Sequence, residues 1–337
     1  MKKFFLMVIV ILFLIILLVK AENGKFSGYI FGDYFYILSN HNEGFEKNNG
    51  FWLRRLYFTY DQKLSDAFSF RLRLEMATPD GLIKDADKAT PFLKDAYLKW
   101  KTGRQQVLIG ISSTPTWGVI EKTWGYRSVE KTPLDLQKFG SSRDFGLALK
   151  GKLDKSGKLK YHLMLGNGNS NKTENDMGKK VMLALGFYPT KSLIFEIYGD
   201  WNDKPASTDW TTLQAFAGYK TENIRFGLQY AHQTRKGETD IKLRLASFFG
   251  VFKLTKKTSF FGRIDRMFDP NPGGEGISYI PFSADAKSTF IVSGVDFKVH
   301  EKINFIPNVE LVFYDDPVEG DKPATDVIFR ITFWWRF

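Results

Sequence analysis

Residues 68–76 read F-S-F-R-L-R-L-E-M, with Phe70, Leu72, Leu74 and Met76 on one parity and Arg71, Arg73 and Glu75 on the other. Successive side chains point to opposite faces of a strand, so this segment has one greasy face and one charged face. The same alternation recurs in F-W-L-R-R-L-Y-F-T-Y (51–60), L-K-D-A-Y-L-K-W (93–100), K-L-K-Y-H-L-M-L (158–165), I-R-F-G-L-Q-Y (224–230) and V-I-F-R-I-T-F-W-W-R-F (327–337). Windows of helical period are scarce. A soluble barrel would have to bury the charged face, which is very costly without partners. In lipid the arrangement inverts, with apolar side chains outward and a wet polar lumen. The pattern therefore predicts an all-β chain, a transmembrane antiparallel β-barrel.

About 16 such segments follow one another, most near the ~9–11 residues that cross a bilayer at a tilt. Their expected starts are Lys25, Gly50, Ala67, Phe92, Gln105, Arg143, Gly157, Lys179, Ser192, Asp209, Glu222, Thr239, Lys257, Ala286, Lys302 and Ala324. The segment after Ile241 breaks phase near Phe248–Phe249, which reads as a bulge. Connections alternate in length. Turns such as Leu64-Ser65-Asp66 and Thr102-Gly103-Arg104 are short. Stretches such as 78–91, 113–142, 168–178 and 269–285 are long and polar. Short turns on one rim and long loops on the other are the habit of outer-membrane barrels.

The chain has 337 residues, 32 Phe and no Cys. Without cysteine it can have no disulfide framework, zinc–thiolate site or Cys nucleophile. Met1-Lys2-Lys3, the apolar run Phe4–Val19 and Val19-Lys20-Ala21 read as a secretory signal peptide cleaved after Ala21. An uncleaved anchor helix is the alternative. Residues 22–337 then form one barrel domain. The leader carries three lysines and no acid, so the net charge falls from +11 to +8 and stays basic.

By alternation the lumen receives Arg55, Arg71, Arg73, Lys99, Lys150, Lys152, Lys160, Arg225, Lys242, Arg244, Arg263, Lys298, Arg330 and Arg336. Lumen acids are fewer: Glu75, Asp95, Glu196, Asp200, Asp265, Asp296 and Glu310. Excess positive charge in a low-dielectric wall favours anions. Pairing with those acids, or a place at a rim, is the competing reading for any one cation. Residues 113–142 carry Pro115, Trp117, Trp124 and Tyr126, too apolar for a free surface loop. Gly110, Gly146 and Ala148 would leave room for that loop inside the barrel. Trp117, Lys122, Arg127 and Lys131 would then mark the constriction. In the last strand Phe333, Trp335 and Phe337 are expected to face lipid, and the terminal Phe to serve as a signal for the outer-membrane assembly machinery.

The order Arg54–Tyr60, Lys63–Asp66, Phe70–Glu75, Asp95–Leu98 and Gly110 through Pro115 and Glu121 to Arg143–Gly146 resembles the phosphate-selective porin O and P family. The resemblance spans the N-terminal half. It implies a 16-stranded outer-membrane porin, usually trimeric, that passes small anionic solutes, with a phosphate preference possible in the family.

Catalytic chemistry is not evident. The four histidines lie in no metal-binding spacing, and no G-x-S-x-G turn is present. No cofactor, metal or nucleic acid is expected, since the positive charge is spread over strands with no readable helix. A barrel enzyme and a surface adhesin remain the other two classes for this architecture.

Overall fold

The computed structural model describes residues 24–78 and 88–337. The expected leader at 1–21 lies outside the described residues, as does part of the 78–91 connection. The first eight strands are β1 (Gly24–Ser39), β2 (Asn49–Lys63), β3 (Phe68–Ala77), β4 (Thr90–Thr102), β5 (Gln105–Ser113), β6 (Arg143–Lys152), β7 (Leu159–Gly166) and β8 (Lys180–Phe187). The rest are β9 (Leu193–Asn202), β10 (Trp210–Lys220), β11 (Ile224–Arg235), β12 (Ile241–Lys253), β13 (Thr258–Met267), β14 (Ser288–His300), β15 (Ile303–Tyr314) and β16 (Asp326–Arg336). Each pairs antiparallel with its neighbours in sequence, and β1 pairs with β16 to close the barrel. Every strand starts within two residues of its expected position, because apolar alternation begins and ends where the wall does.

The closing seam is explicit. Gly28 N donates to Phe337 O at 3.2 Å and Phe337 N to Gly28 O at 3.0 Å. Gly28 and Gly32 face outward, and the rings of Phe337 and Phe333 lie over them. An aromatic covering a strand glycine replaces the packing that a missing side chain would have supplied.

Register shifts occur at four places among the described residues, and the two on β2 and β4 change which cations face inward. Against β1 the register steps from Phe31↔Arg55 to Asp33↔Trp52. Against β3 it steps from Arg73↔Asp95 to Leu74↔Leu93. A bulge sets two residues against one. Consequently Arg54 joins Arg55 inside, and Lys94 joins Asp95. Alternation had left Arg54 and Lys94 on the lipid face.

The expected bulge near Phe248–Phe249 is absent. β12 keeps register with both neighbours throughout. Its inward residues are Leu243, Leu245 and Phe249, all fully buried. Lys242 and Arg244 therefore point outward, near the long-loop rim. The phase break was a false one, because the lumen wall of β12 is apolar.

Candidate ion pathway and constriction

An apolar lumen wall is stable only if something covers it. The connection between β5 and β6 does so. It holds two helices, α1 (Trp117–Trp124) and α2 (Pro133–Leu136). α1 packs on β10–β12 and buries Trp117, Ile120 and Trp124. Trp124 sits edge-on to Phe249 and Phe261, with centroids 5.3 and 5.8 Å away. Tyr126 stacks on Phe261 at 4.2 Å. Gly125 ends α1 at φ +75°, and a Cβ there would also overlap the Arg225 guanidinium. Leu134 and Leu136 of α2 are buried as well. Each buried large side chain contributes roughly 1.5–3 kcal/mol, and ordering costs about 1–2 kcal/mol per residue. Burial on this scale can hold such a loop inside the barrel.

A second loop also enters, which the sequence reading missed. In 269–287, Ile277, Tyr279, Ile280 and Phe282 are buried. The run I-S-Y-I-P-F within a long polar connection was the available signal.

Loop carbonyls in the lumen need donors, and wall arginines supply them. Arg54 donates to Val129 O (2.7 Å), Arg263 to Lys131 O (2.5 Å) and Arg330 to Tyr279 O (2.7 Å). All three guanidinium groups are buried and paired. Arg54 lies 2.6 Å from Asp33, Arg330 lies 2.8 Å from Asp33 and 3.1 Å from Glu310, and Arg263 lies 2.7 Å from Asp265. Arg263 and Arg330, expected to meet solute, are instead struts that hold the loops. Lys242 and Arg244 are excluded on the other ground, their outward face; Arg244 pairs with Asp269 at 2.8 Å. Trp117 packs edge-on against Tyr198 in the core and does not front the opening. The remaining expected residues, Arg55, Arg71, Arg73, Lys99, Lys150, Lys160 and Arg225, do point inward and keep some exposure.

Removing one member of a buried ionic network strands its partners, at about 3–5 kcal/mol. Arg330→Met should therefore destabilise the barrel by roughly that amount in denaturant unfolding while leaving ion selectivity unchanged. A large selectivity change in the folded variant would contradict the strut assignment.

The wall from β2 to β6 is electrostatically different. Arg55 and Lys94 share one carboxylate, Glu75, with Lys94 at 3.1 Å. Arg73 and Arg143 share Asp95, with Arg73 at 3.2 Å. Each trio carries one cation more than it can neutralise. The network of Arg54, Arg330, Asp33 and Glu310 has two cations for two acids and is closed. Further toward the short-turn rim, Arg71 pairs with Asp61 at 2.7 Å. Lys99 and Lys150 have no ion-pair partner among the described residues. Surplus positive charge thus runs along one side of the lumen, where the loops leave space.

Facing that wall, Arg127 lies 3.8 Å from both Glu121 and Asp135. Tyr279 accepts from Arg55 Nε at 2.7 Å, and Lys131 sits over its ring at 4.5 Å. Burial opposes ionisation of this phenol, yet Arg55, Arg127, Arg54 and Lys131 bring it down to about 7. Two spaces lie beside the inserted loops. On the long-loop side a cavity of about 550 Å³ reaches Arg55, Lys94 and Tyr279. On the short-turn side one of about 380 Å³ is lined by Lys122, Lys150, Lys160 and His162. Among the described residues no group of His, Asp and Glu is arranged to hold a metal ion.

Loop 269–287 is tied to the rim through Glu275 by a histidine. His41 Nδ1 lies 2.9 Å from Asp326, and its Nε2 lies 3.2 Å from Glu275. Tyr314 donates to Asp326 at 2.6 Å. Burial disfavours the imidazolium, but Asp326 and then Glu275 raise its pKa above the ordinary value. This contribution is complete below the ordinary histidine value of about 6.5 and is lost as pH rises through the raised one. Backbone amides of 274–282 should therefore exchange faster, after correction for intrinsic rates, above that pH. His41→Asn should abolish the pH dependence; a wild-type profile that is flat with pH would contradict the latch.

A model of the phosphate-selective porin O and P family matches residues 32–192. The motifs that carried the sequence resemblance all fall inside that span. No curated protein matches the chain. Among solved structures, an anion-selective porin from Comamonas acidovorans superposes at TM-score 0.68 with 10% identity, covering 93% of this chain and 99% of that one. The outer membrane channel DcaP of Acinetobacter baumannii gives 0.67 with 12% identity, covering 93% and 97%. OmpT of Vibrio cholerae in a trimer form gives 0.64 with 14% identity, covering 93% and 99%. At these identities the likeness is one of fold: the chain is a 16-stranded porin-type barrel.

Proposed function

We propose that the chain is an outer-membrane porin, a passive diffusion channel for small hydrophilic solutes that favours anions. The observation that carries this reading is the pair of trios, Arg55–Glu75–Lys94 and Arg73–Asp95–Arg143, each with one cation more than acid and each cation keeping some exposure in the lumen. An anion there is attracted from both wall and loop, and a cation is repelled. The match to a phosphate-selective family over residues 32–192 agrees. Residues 1–21 are read as the leader that carries the barrel domain, 22–337, across the inner membrane. Phe333, Trp335 and Phe337 are read as the assembly signal. The partners are outer-membrane lipid, the assembly machinery and two further copies of the chain, as in the trimer form of the Vibrio cholerae protein. No cofactor and no catalytic step are assigned. In a planar bilayer under a KCl gradient, the reversal potential should have the sign of chloride preference. Cation preference would overturn the proposal.

A further inference from the structure

The cavity on the long-loop side has a lining that a channel for inorganic anions does not need. Glu75 and Phe92 are direct partners across β3 and β4, so their side chains share the lumen face. Phe92 is 39% exposed there, and Lys94 Nζ lies 5.9 Å from its ring centroid. Trp52 forms the opposite side, edge-on to Tyr279 at 5.5 Å, its indole N–H donating to Thr78 at 2.7 Å. The floor is the Arg55–Glu75–Lys94 trio. The bulge that turns Lys94 inward leaves the carbonyls of Leu93 and Lys94 to Asn171 Nδ2, at 2.7 and 2.9 Å. The backbone that carries Lys94 is therefore held by a loop from another part of the chain, while its ammonium is held by Glu75.

An exposed aromatic in an aqueous vestibule gains nothing from a hydrated oxyanion, which prefers water or polar donors. It gains from an apolar surface that covers it. A space of about 550 Å³ is also ample for one ring. The geometry points to a recognition site for aromatic monocarboxylates, with the carboxylate on Lys94 and Arg55 and the ring between Phe92 and Trp52. This rests on the anion-porin reading and refines it: the channel selects among anions by their apolar body.

The test uses the full-length channel in a planar bilayer in KCl. Benzoate, acetate and inorganic phosphate are added in turn to the long-loop side. Benzoate is expected to reduce the chloride current at a concentration about tenfold lower than acetate or phosphate, since ring burial is the added contribution. Phe92→Ala should remove that advantage and leave the chloride reversal potential unchanged. Lys94→Gln should weaken benzoate and acetate together. Equal potency of benzoate and acetate in the wild type would overturn the inference. So would an undiminished benzoate advantage in Phe92→Ala. In both cases chloride preference would still uphold the porin reading. A cation-selective wild type would overturn both.

Discussion

Replacing Lys94 and Arg143 together by glutamine is expected to lower the anion-to-cation permeability ratio by at least about tenfold. Each replacement leaves one cation for one carboxylate, Arg55 with Glu75 and Arg73 with Asp95. Both surpluses disappear, while neither acid is left unpaired. A unit charge about 8 Å from the ion, at an effective dielectric near 20, contributes about 2 kcal/mol. Tenfold corresponds to about 1.4 kcal/mol, so even one surplus charge is enough. The reversal potential in a gradient of dilute KCl reads this directly. The shift should shrink near 1 M salt, where the screening length falls to about 3 Å. An unchanged ratio at low salt would mean that ions do not pass along β2–β6. The same measurement on Arg330→Met supplies the contrast, since that arginine sits in a closed network.

Gly32→Val is expected to reduce the yield of folded barrel by at least about tenfold. A Cβ on Gly32 would overlap the Trp52 carbonyl oxygen and the Phe333 ring, and would lie 3.1 Å from Leu53 Cα. The first obstacle is backbone, brought close by the bulge that turns Arg54 inward, so no rotamer change relieves it. Overpacking of this kind costs about 1–3 kcal/mol, and it falls where β1 must meet β2 and β16 at once. Gly262→Val is the control. It faces outward on β13, and its Cβ would find Ser293 Oγ no nearer than 3.8 Å. Heat-modifiable migration on gels separates folded from unfolded barrel. Normal folding of Gly32→Val would show that β1 can part from β2 there without loss. Phe337→Ala should be milder, because its backbone bonds to Gly28 survive.

Most of the architecture was legible in the residues. Phe70, Leu72 and Leu74 opposite Arg71, Arg73 and Glu75 specify a strand between two solvents, and repetition of that pattern specifies a closed wall. The inward parity of Arg55, Arg71, Arg73, Lys99, Lys150, Lys160 and Arg225 followed too. So did the entry of the 113–142 loop, because Trp117, Trp124 and Tyr126 had to be covered.

What alternation determined was therefore which parity faces lipid across the membrane core, since the bilayer penalises outward charge most at its midplane and little near the rims. Tertiary structure decided the rest. Two bulges reversed parity at Arg54 and Lys94, and a bulge depends on how neighbouring strands meet. Lys242 and Arg244 went outward because Leu243 and Leu245 had loop surface to pack on inside. Arg330 and Arg263 became struts, while Arg55 and Arg73 kept a face to the opening. All four are arginines on lumen-facing positions of strands, and local sequence does not separate them. The difference lies in whether a carbonyl of a loop distant in sequence comes within reach: Tyr279 O is 51 residues from Arg330, and Lys131 O is 132 from Arg263.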